Sequence, residues 1–159
     1  MYQARGTVDV GSKAPEFKAR DAQGRVIDMA SFRGKSSLVL FFYRNSRCRT
    51  CRGELADLAD QYPSISGQGG EVIALSTDGP DEAKDLAVDL RLPFPVISDP
   101  DARIIRLYGI FDAAVDTAFP AIFLVDRQGA VQFMKKIEGL DDLIPAEEVV
   151  RRLNNITAG

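Results

Sequence analysis

The sequence predicts an α/β domain in which helices flank a mixed central sheet, with a β-hairpin extension on its amino-terminal side. Three observations predict it. Two apolar runs, residues 38–43 (LVLFFY) and residues 71–77, read as strands buried on both faces. Each run is followed by a stretch whose apolar residues recur at helical spacing. The elements come in the order ββ, βα, βα, a short βα, ββ and α, which is the pattern of a layered sheet with helices on its faces.

Taken in order, residues 10–17 (VGSKAPEF) lead into residues 21–28 (DAQGRVID). Gly24 there lies in a polar turn between two short extended runs and marks a hairpin. Ser31-Phe32-Arg33-Gly34-Lys35 closes it before the first buried strand. Leu55, Leu58, Ala59 and Tyr62 then set out a helix, and Gly67-Gln68-Gly69-Gly70 is a turn ahead of the second buried strand. Pro80, Asp81 and Glu82 open the next helix, whose apolar face is Ala83, Leu86, Ala87 and Leu90. Residues 92–100 (LPFPVISDP) are a short extended piece and a capped start leading into Ile104, Ile105, Leu107 and Tyr108, and Gly109 ends that helix. Residues 121–126 and 130–137 are two strands joined by Arg127-Gln128-Gly129 as an antiparallel hairpin. Pro145 opens a last helix with Ala146, Val149, Val150 and Leu153 inward.

A chain of 159 residues can bury a core without covalent staples, and with no repeat, low-complexity stretch or linker it is expected to be a single domain over residues 1–159. Its net charge of -3 gives no reason to expect nucleic acid as a partner. Residues 1–10 are mixed polar and lack a leader-type apolar core, and no segment has the length of a membrane span. A cytoplasmic location is therefore expected. An exported form stays open if a leader has been removed, because two cysteines fit either redox compartment.

The chemistry concentrates where the first buried strand passes through Arg44-Asn45-Ser46-Arg47 into Cys48-Arg49-Thr50-Cys51, which holds both cysteines of the chain. A CxxC pair at a helix start meets backbone N–H groups that lack partners and the positive end of the helix dipole, both of which favour a thiolate. The thiolate is the reactive form. Stepping back four residues along the apolar stripe from Leu55 reaches Cys51, so Cys51 is expected to be buried and Cys48 exposed. Arg47 and Arg49 flank Cys48 and are read as lowering its pKa, whereas Arg44 and Arg52 fit either that role or a solvated basic rim. A structural disulfide closing so short a loop removes little chain entropy. A zinc site needs about four ligands, and the chain has no second cysteine pair and no histidine. No metal and no cofactor is expected. Without histidine there is no Cys-His dyad either, which leaves redox chemistry, with inert buried thiols as the alternative.

A family resemblance rests on Gly11-x-x-Ala14-Pro15-x-Phe17, Gly34-Lys35, Phe42-Tyr43-Arg44, residues 94–101 (FPVISDPD), Tyr108-Gly109 and Phe123-Leu124-Val125-Asp126-x-x-Gly129. Over roughly residues 10–137 the chain resembles the redoxin group of the thioredoxin superfamily, which holds the peroxiredoxins (AhpC/TSA) and the TlpA/ResA-like thiol:disulfide oxidoreductases. The resemblance implies a thioredoxin-like fold. In the peroxiredoxin register P-x-x-x-T-x-x-C-x-x-E, Cys51 matches the peroxidatic cysteine and Glu54 its acidic neighbour, while Arg44 replaces the proline and Cys48 the threonine. The peroxiredoxin-type arginine of the late strand falls on Pro120, which matches instead the cis-proline that thioredoxins set beside their CxxC. The acid that thioredoxins bury behind their second cysteine would fall on Phe42, so that proton relay is expected to be missing.

The function these residues imply is thiol:disulfide exchange with protein or small-molecule disulfides, supplied by a thiol electron donor such as a thioredoxin-type system. Cys48 would attack, Cys51 would resolve, Phe119 and a cis Pro120 would shape the partner groove, and Arg47, Arg49, Glu54 and Arg44 would tune the thiolate. One alternative is a thiol peroxidase acting on hydroperoxides with Cys51 attacking. The other is a thioredoxin-fold interaction module that needs neither thiol.

Overall fold

The computed structural model describes residues 8–158, so the reading of residues 1–10 falls mostly outside the described residues. The amino-terminal hairpin is present. Strand β1 (Lys18–Arg20) pairs antiparallel with β2 (Val26–Asp28), and Gly24 takes the turn at φ 84°. Asp21 fixes that turn, its carboxylate accepting from the backbone N–H groups of Gln23 and Arg25 and from the Arg25 side chain. A single 3-10 turn, Met29–Phe32, capped by Asp28, then delivers the chain to the sheet.

The main sheet has five strands. Strand β3 (Ser37–Phe42), with all six residues buried, lies at its centre. It pairs parallel with β4 (Gly70–Ser76), which pairs parallel with β5 (Val96–Ser98). On its other side it pairs antiparallel with β8 (Ala121–Val125), which pairs antiparallel with β9 (Val131–Lys136). The expected mixed sheet is thus observed, with register Leu38↔Gly70's neighbour Glu71 on one side and Leu38↔Val125 on the other.

Helices α1 (Arg49–Gly67), α2 (Pro80–Asp89) and α4 (Ala146–Ala158) contribute to one face of the sheet, where Leu55, Leu58, Leu86, Val149 and Leu153 pack with Val39, Phe41, Val72, Ile122 and Leu124. The other face, Leu38, Leu40, Phe42, Ile73, Leu75 and Phe123, is covered by α3 (Arg103–Leu107), Tyr108 and the amino-terminal Phe17 and Met29. Alternation along β3 sends neighbouring side chains to opposite faces, which is why an unbroken apolar run was needed there. Gly70 is required by space. A Cβ at this position would sit 2.5 Å from Leu153 Cδ2 and 3.1 Å from the Ile65 carbonyl oxygen, so any larger residue forces α4 or the end of α1 to shift.

Three details depart from the sequence reading. Helix α1 runs past Tyr62 through Pro63 to Gly67, and Pro63 is exposed, so its ring faces solvent. Strand β4 begins at Gly70, one residue earlier than expected. A small hairpin of β6 (Phe111–Asp112) and β7 (Thr117–Ala118) was not anticipated, because strands of two residues carry no periodicity. Among the described residues no helix is long and apolar enough to cross a membrane.

Candidate active site

The carboxyl end of β3 points the chain at the site, and α1 begins five residues beyond Arg44, with Cys48 as its N-cap. Cys48 Sγ accepts the Cys51 N–H at 3.3 Å, so the sulfur stands where a capping oxygen ordinarily does. Short local bonds hold the turn before it: Arg47 N–H to Asn45 Oδ1 at 2.9 Å, Cys48 N–H to the Asn45 carbonyl at 3.2 Å, and Arg52 Nη1 to the Ser46 carbonyl at 2.9 Å. The two sulfurs form a Cys48–Cys51 disulfide across Cα atoms 5.2 Å apart. Cys51 is 1% exposed and packs in the apolar cluster with Leu55 and Leu58, as the stripe argument expected, whereas Cys48, expected to be exposed, is half-buried against the edge of the same cluster.

Both cysteines open onto a cleft of about 230 Å³. Its near wall is Arg44, Cys48, Thr50, Cys51 and Glu54, and its far wall is Pro120 and residues 137–140. Glu54 is the electrostatic feature of the near wall. Burial pushes its carboxyl from about 4.5 up to about 7, a rise that the Ile144 backbone N–H opposes and the Asp57 charge assists, and its buried Oε1 has no hydrogen-bond partner. Position 42 does carry no acid; Phe42 is fully buried on the opposite face of the sheet. An acid nevertheless reaches the cleft beside Cys51, one turn further along the same helix.

The four arginines separate. Arg44 lines the cleft and is held from the far side by Thr117 Oγ1 at 3.0 Å and by Asp112 at 3.5 Å. Arg47, with 76% of its side chain exposed, pairs with Glu82 at 3.6 Å, and Arg49 is exposed; neither lines the cleft. Arg52 pairs with Asp89 at 3.7 Å.

Pro120 is buried in the cleft wall, but the expected cis peptide is not found: among the described residues no peptide bond is cis. A trans X-Pro bond is favoured by about 0.5–1 kcal/mol unless its surroundings demand otherwise. Here they do not. Phe119 N–H donates to the Ile110 carbonyl at 2.8 Å and the Pro120 carbonyl accepts from Ile137 N–H at 2.7 Å, so both flanks are tied into extended pairing. Phe119 lies outside the cleft lining, under Lys136 Nζ at 4.1 Å from its ring centroid. The sequence reading missed Thr50, Ile137, Glu138, Gly139 and Leu140 as cleft residues. Only Thr50 carried a signal, its place inside the CxxC. Among the described residues no group of three or more Cys, Asp or Glu side chains could hold a metal ion.

Comparison with known proteins agrees with this architecture. The AhpC/TSA family profile matches residues 10–134. Alkyl hydroperoxide reductase E of Mycobacterium tuberculosis is 30% identical over 128 residues, covering 79% of this chain and 84% of that protein. Thiol-disulfide oxidoreductase ResA of Bacillus thuringiensis subsp. konkukian is 30% identical over 158 residues, covering 96% and 86%. Among solved structures, Enterococcus faecalis AhpC superposes with a TM-score of 0.82 at 24% identity, covering 94% of this chain and 92% of that one, which establishes likeness of fold.

Proposed function

Because this chain belongs to the AhpC/TSA family, we propose that it is a thiol:disulfide oxidoreductase in which Cys48 attacks and Cys51 resolves. The observation that carries the proposal is the asymmetry of the pair: one sulfur caps a helix at the mouth of a cleft, the other is buried one turn behind it, and the two are within bonding reach. The Cys48 thiolate attacks a partner disulfide, forming a mixed disulfide and releasing one partner thiolate, which takes up a proton. The Cys51 thiolate then attacks Cys48 Sγ. The second partner thiol leaves and the Cys48–Cys51 disulfide remains, to be reduced again by a thiol donor such as a thioredoxin-type system. Glu54, with its carboxyl near neutrality in the same cleft, is suited to take the Cys51 proton as that sulfur becomes a nucleophile.

Substrates on this proposal are protein or small-molecule disulfides. Residues 1–159 act as one domain, in the cytoplasm, and an exported form is the alternative that thiol labelling in fractionated cells distinguishes. ResA, similar over 96% of the chain, is named for the same exchange.

A second reading, hydroperoxide reduction with Cys51 attacking, is favoured by the content of the near wall. A guanidinium, Arg44, and a carboxyl, Glu54, both line the cleft with Cys51, although position 120 holds no arginine. The trans Phe119-Pro120 bond also removes one ground for placing exchange ahead of it. Stopped-flow oxidation of the reduced protein decides between the two. Exchange predicts fast reaction with a model disulfide, lost in Cys48→Ser and arrested at the mixed disulfide in Cys51→Ser. Faster reaction with peroxide that survives Cys48→Ser and is lost in Cys51→Ser would establish the peroxidase. Equal inertness of both thiols would leave the interaction module.

A further inference from the structure

Arg44 differs from the other three arginines beside the cysteines, because it lines the cleft. Its guanidinium is held from outside by the β6–β7 hairpin, Nη1 donating to Thr117 Oγ1 at 3.0 Å and pairing with Asp112 Oδ2 at 3.5 Å. Both contacts fall on Nη1. Among the described residues Nε and Nη2 have no partner, and these two atoms carry the parallel N–H groups that grip a carboxylate as a bidentate fork. The side chain is 32% exposed, so the fork is open to a ligand while its other edge is held. Arg44 is also the only cationic side chain among the residues that line the cleft. Two acids oppose it there, the exposed Glu138 and the half-buried Glu54, and Asp112 offsets part of its charge. The cleft as a whole is not basic, so what it offers an anion is direct contact with this one fork.

We propose that Arg44 selects the substrate of the exchange: the cleft takes small disulfides that carry a carboxylate within a few bonds of the sulfur under attack, with the carboxylate on the Nε and Nη2 fork and the carbon chain against Pro120, Ile137 and Leu140. This rests on the reading of the protein as a thiol:disulfide oxidoreductase in which Cys48 attacks. The short separation of carboxylate and sulfur follows from the cleft, since Arg44, Cys48 and Cys51 all line one volume of about 230 Å³. A cysteine inside a protein has its own carboxyl tied up as an amide, so the group belongs to free cysteine-type or mercaptocarboxylic compounds. The reaction balances as exchange. Cys48 Sγ bonds to one substrate sulfur, the substrate S–S bond breaks, and the departing half leaves as a thiolate that takes up a proton. Cys51 Sγ then displaces the other half, so the two protein thiols are oxidised to a disulfide and the substrate is reduced to two thiols.

A guanidinium that only lowered the Cys48 pKa would change the rate with every disulfide alike, whereas one that binds the substrate favours the anionic ones. The test is stopped-flow oxidation of the reduced protein at pH 7 by dithiodipropionate, which carries carboxylates, and by hydroxyethyl disulfide, which carries no charge. Each rate is divided by that of the same disulfide with free mercaptoethanol, which removes differences between the leaving thiols. Expected in the parent is a normalised rate for dithiodipropionate about tenfold above that for hydroxyethyl disulfide, the low end for a hydrogen bond to a charged group. Arg44→Gln should bring that ratio to within about twofold of one, the loss of that same bond. Arg44→Lys keeps the charge without the fork, carries the test if Arg44→Gln does not fold, and should lose more than half of the preference. Arg47→Ala with Arg49→Ala should keep the ratio, because those side chains lie off the cleft. A parent ratio near one, a ratio unmoved in both Arg44 variants, or a ratio lost with Arg47 and Arg49 overturns the proposal. If the reduced parent reacts with both disulfides no faster than mercaptoethanol does, it is the reading as an exchange enzyme that has failed, and the proposal with it.

Discussion

The cleft is built from two walls of different origin. The near wall comes from one contiguous stretch, residues 44–54, whose geometry is set within two helical turns by bonds between close neighbours. The far wall is Pro120 and residues 137–140, brought opposite by the pairing of β8 with β9 and by the Ile137 N–H bond to the Pro120 carbonyl. Most of the first wall rides on α1, with Arg44 ahead of it held by Thr117 and Asp112. The other depends on the register of an antiparallel pair distant in sequence, and it ends in Leu140, 75% exposed. A reactive wall set by local bonds thus faces a more open one that carries Glu138 beside Ile137 and Leu140, an arrangement that suits chemistry that is constant and partners that vary.

The largest effect should come from undermining the near wall. Leu55 is fully buried beneath Cys51, and Leu55→Ala is expected to cost about 2–5 kcal/mol of stability in urea unfolding. A loss under about 1 kcal/mol would mean that α1 does not hold the near wall. Next in size is Glu54→Gln. A carboxyl raised to about 7 when folded and near 4.5 when unfolded binds more protons in the folded state between those values, so stability falls as pH rises through that window and is level above it. Allowing for its partial exposure, Glu54→Gln should gain about 1–2 kcal/mol at pH 8 and flatten the slope between pH 5 and 7. Unfolding at three pH values checks both.

Arg47→Ala with Arg49→Ala sharpens the comparison at the rim. Both side chains are exposed and off the cleft, so the Cys48 alkylation midpoint should rise by a few tenths of a unit, about the scale of a screened surface charge. An unmoved midpoint makes them a solvated rim only. The smallest effect on stability belongs to the far wall. Leu140→Ala should stay within about 0.5 kcal/mol of the parent, while slowing exchange with a protein disulfide and leaving a small model disulfide untouched. Equal slowing of both substrates would show that Leu140 serves the chemistry instead of the partner.

The same division explains what was legible. The burial of Cys51 follows from an apolar stripe that a reader can step along, while the same stripe did not foresee that Cys48 would be half-buried, and the buried strands announce themselves by unbroken apolar runs. The hairpin of β6 and β7, whose Asp112 and Thr117 hold Arg44, has strands too short for any period. The isomer of Pro120 turned on what its flanking groups bond to, which is a matter of strand register. Glu54 was recognised as the acidic neighbour, but its raised carboxyl comes from burial in the folded cleft, with Ile144, beyond the last strand, opposing the rise and Asp57 assisting it.

Asp57, on the helix that carries both cysteines, accepts the Ala146 N–H at 2.8 Å through Oδ2, and Ala146, Val149 and Leu153 close over the same apolar cluster as Cys51 and Leu55. During synthesis on the ribosome, residues 48–67 therefore emerge long before the segment that covers them. Until α4 has been made, the nascent chain carries its complete thiol pair on a helix that β3 and β4 can cover but whose remaining apolar cover is still missing.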